Sequence, residues 1–163
     1  MTKSDYSCPF TADDLDRCQI WEMLVVRDIA AFVAADWSQI ADDFKADGFY
    51  AIDAQKSPNP DDWEMAFPNL DAYRDEWLRQ AHESRKIKWA EDVFDAVMRA
   101  TQLETIEISG NRALVRKHFN GTIKKADGTS DHLLWKTHYY CEKTPSGTWQ
   151  ITGFTGYLPH HIV

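Results

Sequence analysis

The chain is short of the residues that mark unusual architectures. Of its 163 residues only 7 are Gly and 6 are Pro, too few for a collagen-like, low-complexity or disordered protein. Cysteine is scarce too. Cys8, Cys18 and Cys141 are odd in number and no two have metal-ligand spacing, which argues against a disulfide framework and suits a reducing compartment. Long hydrophobic runs are missing. The most apolar stretch, 23–35, is interrupted by Arg27 and Asp28 and falls short of the roughly 20 apolar residues a membrane span needs. The opening MTKSDYSCPF has no apolar core of signal-peptide length, so a soluble, cytoplasmic protein is expected. Positive charge is in deficit, with 18 Lys and Arg against 26 Asp and Glu, a net charge of −8. That balance opposes counterion-driven binding to nucleic acid or anionic lipid, so neither is an expected partner. The acidity lies in residues 1–80, which carry 7 basic and 17 acidic side chains, whereas residues 81–163 carry 11 and 9.

What is present is an ordinary globular composition, 44% hydrophobic and 13% aromatic, at a length that suits one compact domain over 1–163. Thr11 followed by Asp14 predicts a capped helix from about residue 12 to Ala35. At 100° per residue, Ile20, Trp21, Leu24, Val25, Ile29 and Phe32 fall within about 180° of arc. Asp36 or Ser38 can cap a second short helix carrying Trp37, Ile40, Ala41 and Phe44, after which DGFYAIDA turns at Gly48 and reads as a strand. The two prolines of AQKSPNPDD predict a surface loop over 54–62. Asn69 caps a third helix to about Ser84, with Leu70, Tyr73, Trp77 and Ala81 on one face. Trp89, Ala90, Val93, Phe94 and Val97 have helical spacing, predicting a fourth helix over 89–99. From Leu103 the period drops to two, through LETIEIS, RALVRKHFNGTI, DHLLWKTHYYCEK and TWQITGFTGY, with glycine-bearing turns between them. Strands gathered after helices indicate an α+β fold, a curved antiparallel sheet with the N-terminal helices on its concave face.

This order of elements resembles the nuclear transport factor 2-like (NTF2-like) superfamily, in its SnoaL-like branch. The stretch AAFVAADWSQIADDFKADGFYAID is similar to the family's helix, Asp-Trp pair, second helix and approach to the first strand, and YYCEKTPSGTWQITGFTGY is similar to its closing hairpin. The resemblance implies a cone-shaped fold with a deep pocket. It implies no single chemistry, because the superfamily carries isomerases, dehydratases, cyclases, epoxide hydrolases and proteins without catalysis. Aligned on FKADGFYAID, the ketosteroid isomerase pattern would place its general base at Ile52 and its helix-one tyrosine at Asp28, and neither residue type matches. The scytalone dehydratase pattern would place its Tyr-Asp pair at Phe32 and Val33, which also fails. It fits at Ile52 and Asp53, and it puts His138 where that enzyme has an asparagine.

Four residues are candidates for catalysis. Asp28 sits near the centre of the helix-one stripe, between Leu24 and Phe32, so its carboxylate faces the interior. There it is either a general acid or base opening into a pocket, or a buried acid satisfied by a strand donor such as an arginine, histidine or tyrosine. His138 shares a strand face with His132, Leu134, Lys136 and Tyr140. It points outward if the helices cover Trp135 and Tyr139, and into the pocket if a bulge flips the register. His118, alternating with Phe119, poses the same choice. Asp53 either faces the pocket mouth or starts the Pro-rich loop. Trp21, Phe32, Tyr50, Trp77, Trp135 and Tyr139 are candidates for holding a flat hydrophobic ligand, or form an ordinary aromatic core. The GFTG run reads as a bulge or bend, since no helix follows to make a phosphate loop. His160 and His161 lack further ligands for a metal.

The reading is a cofactor-free, metal-free enzyme moving a proton on a hydrophobic, possibly polycyclic small molecule, by isomerisation, dehydration or cyclisation. The alternative is a non-catalytic ligand-binding or assembly protein of the same fold. A homodimer is expected through the outer sheet face.

Overall fold

A computed structural model describes residues 6–160. The first helix begins later than Thr11 suggests. Asp14 is its cap, accepting the Arg17 N–H at 3.2 Å and the Arg17 guanidinium at 2.9 Å, and α1 runs Leu15–Trp21. The helix does not then continue at 3.6 residues per turn. Glu22–Arg27 form a π-helical turn, and α2, Asp28–Ala34, completes the rod before Ala35 ends it in the left-handed region at φ 52°. π-Turns of this kind recur at functional sites. Ile20, Trp21, Met23, Leu24, Val25, Ile29 and Ala31 are buried along the rod.

The expected second helix is replaced by two short 3₁₀ turns, Trp37–Gln39 and Ala41–Asp43. Asp36 caps the first through the Ser38 N–H. Strand β1, Tyr50–Asp53, follows. The loop over 54–62 carries a 3₁₀ turn at Pro60–Asp62, and then an unforeseen strand appears, β2, Glu64–Phe67. Its mostly exposed residues give no period-two signal. Helix α3, Leu70–Lys86, starts at the Asn69 cap, whose side chain accepts the Ala72 N–H at 2.9 Å. Helix α4, Val93–Ala100, is shorter than the spacing suggested. Asp92 caps it, while Trp89 lies outside it and donates its indole N–H to the Ser84 carbonyl.

Four long strands complete the chain: β3 Thr101–Ser109, β4 Arg112–Lys124, β5 Ser130–Lys143 and β6 Trp149–Leu158. They form the antiparallel meander that the sequence predicts, but the sheet is mixed. Its order is β2-β1-β6-β5-β4-β3, and β1 lies parallel to β6. Parallel pairing needs a long crossover, which the whole span from α3 to β5 supplies.

The concave face carries Ala113, Val115, Lys117 and Phe119 from β4, then Trp135, Thr137, Tyr139 and Cys141 from β5. The helices cover it. Near the end of β6, Gly156 and Tyr157 together oppose the single residue Thr137. This β-bulge breaks the alternation, so Tyr157 joins Gly156 on the cavity wall instead of pointing outward.

Cys8 and Cys18 are joined by a disulfide that ties the N-terminal segment to α1, and Cys141 is free and buried. This corrects the expectation that the three cysteines are unpaired. The cysteine count alone could not reveal that residue 8 folds back on the first helix.

Candidate active site

Between the helices and the concave face lies a cavity of about 450 Å³. Phe32, Tyr73, Trp77, Phe119, Trp135 and Tyr139 line it, and Asp28 is part of the same wall. Its position follows from the helical rod: the π-turn ends at Arg27, and the next residue is the first of α2. Arg27 itself leaves the site, pairing with Asp43 at 2.8 Å.

Asp28 is bound to the sheet by a residue that sequence reasoning missed. The Lys117 ammonium lies 3.2 Å from Asp28 Oδ2 and donates a second hydrogen bond to the Leu24 carbonyl. The Asp28 N–H bonds the Val25 carbonyl, and the Leu24 carbonyl within the π-turn accepts from the lysine. Lys117 has 0% of its surface exposed, and its ammonium also lies 5.0 Å from the Phe119 ring centre and 5.9 Å from that of Tyr139. A polar group sealed this fully requires such partners. One signal for it was present, since Lys117 alternates with Val115 and Phe119 on the apolar face of β4.

The Asp28 side chain keeps 24% exposure. Oδ2 is held by Lys117, while Oδ1 makes no hydrogen bond among the described residues. The Tyr73 and Tyr139 hydroxyls on the cavity wall likewise have no hydrogen-bond partner among the described residues. Burial pushes both phenols well above their ordinary range, and the nearby Asp28 charge pushes them further. These groups can hold and move a proton: a carboxylate with one open oxygen, and phenols that stay protonated and act as hydrogen-bond donors.

The other candidates are placed differently. His118 and His138 occupy the outer sheet face, opposite Phe119 and Tyr139. No bulge in β5 turns His138 inward. Burial, helped by Arg116 and Lys136, lowers its pKa. His118 lies beside His160, with ring centres 5.9 Å apart; His161 lies outside the described residues. Asp53 accepts the Gln55 N–H at 2.7 Å as a turn residue, and it also lines an open vestibule at the cavity mouth. Phe32, Trp77, Trp135 and Tyr139 line the cavity. Trp21 and Tyr50 do not. Trp21 is packed in the core just before the π-turn, and Tyr50 stands 52% exposed on edge-proximal β1. Among the described residues no cluster of three or more His, Cys, Asp or Glu is arranged to hold a metal.

No family model matches the chain, and no curated protein matches it in sequence. Solved structures do match in fold. A conserved protein from Planctomyces limnophilus superposes with a TM-score of 0.55 at 14% identity, covering 86% of this chain and 93% of its own. An NTF2-like superfamily protein from Salmonella enterica gives 0.54 at 15% identity, covering 88% and 91%. An NTF2-like protein of unknown function from Pseudomonas putida gives 0.54 at 16% identity, covering 88% and 86%. At these identities the likeness defines architecture and leaves the chemistry to the site.

Proposed function

We propose that this NTF2-like fold carries a small-molecule enzyme site in which Asp28 moves a proton on a hydrophobic ligand held in the aromatic cavity. One observation carries the reading: Asp28 is fixed by Lys117 through Oδ2 and presents an unpartnered Oδ1 on a wall of aromatic rings. Proton transfer needs a positioned base near a donor that steadies the charge developing on the substrate. The Tyr139 and Tyr73 hydroxyls supply that donor. A ligand carbonyl accepting from a phenol, with an acidic C–H toward Asp28, would undergo enolisation. Enone isomerisation, β-elimination of water and aldol-type cyclisation each begin with such a step. Lys117 is a positioning residue here, because it is sealed behind Asp28 and is not part of the cavity wall.

A non-catalytic binding or assembly role has one observation in its favour: neither His118 nor His138 reaches the cavity, so no histidine relays protons there. A thermal-shift screen against aromatic and steroid-like compounds tests the binding shared by both readings. Stabilisation by such compounds is expected, and its loss on filling the cavity with Thr137→Trp. No stabilisation by any compound would overturn both.

The same proposal includes action as one domain over 1–163 and a homodimer through the outer sheet face, where Tyr140 is 44% exposed. A cytoplasmic location belongs to it as well. No described helix is long and apolar enough to cross a membrane. The Cys8–Cys18 bond bears against a reducing compartment, and the number of free thiols in protein isolated without reductant decides the matter.

A further inference from the structure

We infer that the cavity leads into a second subsite, built to hold a neutral, hydroxyl-rich substituent such as a sugar on the ligand's apolar body. The inference rests on the cavity being the ligand site. The vestibule encloses about 810 Å³ and shares Phe67, Glu76, Arg79, Gln80 and Tyr157 with the cavity, so a ligand can span the two.

A polar chain runs along the shared wall. The Tyr157 hydroxyl donates to Gln80 Oε1 at 3.5 Å, the Gln80 amide donates to Glu76 Oε1 at 2.9 Å, and Arg79 grips Glu76 through Nε and Nη2 at 2.8 and 2.6 Å. Arg79 Nη1 takes no part in that grip. On the facing loop, Asp53 spends Oδ1 on the Gln55 N–H and keeps Oδ2 free among the described residues. The Lys56 ammonium lies 5.8 Å from the Trp135 ring centre, with no carboxylate in ion-pair range among the described residues. Donors and acceptors both line the vestibule, whose three acidic and two basic residues carry both signs of charge. Glu76 is paired with Arg79, while Asp53 and Asp75 add negative charge to the lining and Lys56 adds positive charge. A strongly anionic or cationic group would meet like charges in this lining as well as opposite ones. A hydroxyl, which donates and accepts at once, can satisfy either neighbour. The ring faces of Tyr157 and Phe67 suit the C–H faces of a sugar ring.

The backbone supplies a second, independent sign. Gln55, Lys56 and Tyr157 are non-glycine residues at φ 53°, 57° and 51°, and the Lys56 N–H donates to the Tyr157 carbonyl at 2.7 Å. Three such conformations meeting at one mouth are strained, and strain of this kind is retained where geometry serves a site.

Calorimetric titration of the full chain with 2-naphthol, 2-naphthyl β-D-glucopyranoside, 2-naphthyl sulfate and 2-(aminomethyl)naphthalene tests the inference. The glucoside should bind about tenfold tighter than naphthol, the gain expected from two net hydrogen bonds, and tighter than either charged probe. In Lys56→Gly/Arg79→Met, shown to be folded by its far-ultraviolet spectrum, that advantage should collapse. Naphthol binding as tightly as the glucoside would overturn the subsite and leave the cavity reading standing. So would a charged probe binding tightest, or an advantage that survives in the double variant. If no probe binds, the cavity reading itself fails and the subsite with it.

Discussion

Removing Asp28 should cost more stability than removing Lys117, although the two form one pair. The reason lies in what each substitution strands. Asp28→Asn leaves the Lys117 ammonium at 0% exposure with the Leu24 carbonyl as its remaining strong acceptor. Loss of one partner of a buried ion pair costs about 3–5 kcal/mol. For a domain of this size each kcal/mol lowers Tm by about 2–4 °C, so the melting point should fall by roughly 6–20 °C. Lys117→Met strands a carboxylate that is already 24% exposed and removes one hydrogen bond to the Leu24 carbonyl. Its cost should be about 1–3 kcal/mol, the range for an unsatisfied buried polar group. The double variant Asp28→Leu/Lys117→Met should be more stable than the sum of the single losses by at least about 1 kcal/mol, because contacting residues couple. Urea melts of the wild type and the three variants at pH 7, analysed with a common m-value, give these differences. If Asp28→Asn melts within about 0.5 kcal/mol of wild type, the level of ordinary surface substitutions, the buried pair does not exist as described.

Three further outcomes follow from the same structure. Arg79 holds Glu76 at about 2, well below its ordinary 4.5, so the pair's stabilisation is present above pH 4.5 and is lost as pH falls toward 2. Glu76→Gln should lower stability at pH 7 by about 1 kcal/mol, after allowance for solvent screening, and the gap from wild type should close below pH 3. An unchanged gap at pH 2.5 would contradict this. Gly153→Ala should cost about 1–3 kcal/mol by overpacking, since a Cβ there would collide with the Tyr50 carbonyl across the β1–β6 pair; a chemical melt indistinguishable from wild type would show that the parallel pairing is misplaced. Burial pushes the Cys141 thiol up to about 12, and Cys8 and Cys18 are bonded. Ellman's reagent should therefore find no reactive thiol in the native protein at pH 8, and one in denaturant without reductant. Three in denaturant would contradict the pairing.

The elements set by local chemistry were readable in the chain. The Asn69 cap and the i, i+3, i+4 apolar spacing define α3, and period-two alternation defines β3 to β6 and the face that each residue takes. That alternation also put His138 opposite Tyr139, leaving only the chance of a bulge open. What escaped was set by tertiary partners. The π-turn at Glu22–Arg27 has no residue signature, and the Lys117 that bonds its Leu24 carbonyl comes from a strand 93 residues away in sequence. Asp28 is legible as an inward-facing carboxylate with a strand donor as partner, but period-two alternation alone does not say which strand residue meets it; the donor is Lys117, a residue type seldom fully buried. Strand β2 forms by pairing with β1, not through its own exposed residues. The inward turn of Tyr157 depends on a bulge opposite Thr137, which the glycines of GFTG hinted at without giving its position.

The most direct test of the central claim is deuterium exchange at the α-carbon of 2-tetralone, followed by proton NMR in D₂O with the wild type and Asp28→Asn. The ketone is apolar and bicyclic, has a carbonyl for the Tyr139 or Tyr73 hydroxyl, and carries an acidic C–H for Asp28. The wild type should speed exchange over buffer by at least about 10²-fold, the lower range for a positioned general base. Asp28→Asn, confirmed to be folded, should lose that acceleration. Exchange at the buffer rate with wild-type protein to which 2-tetralone is bound, or acceleration that persists in Asp28→Asn, would contradict proton transfer by Asp28.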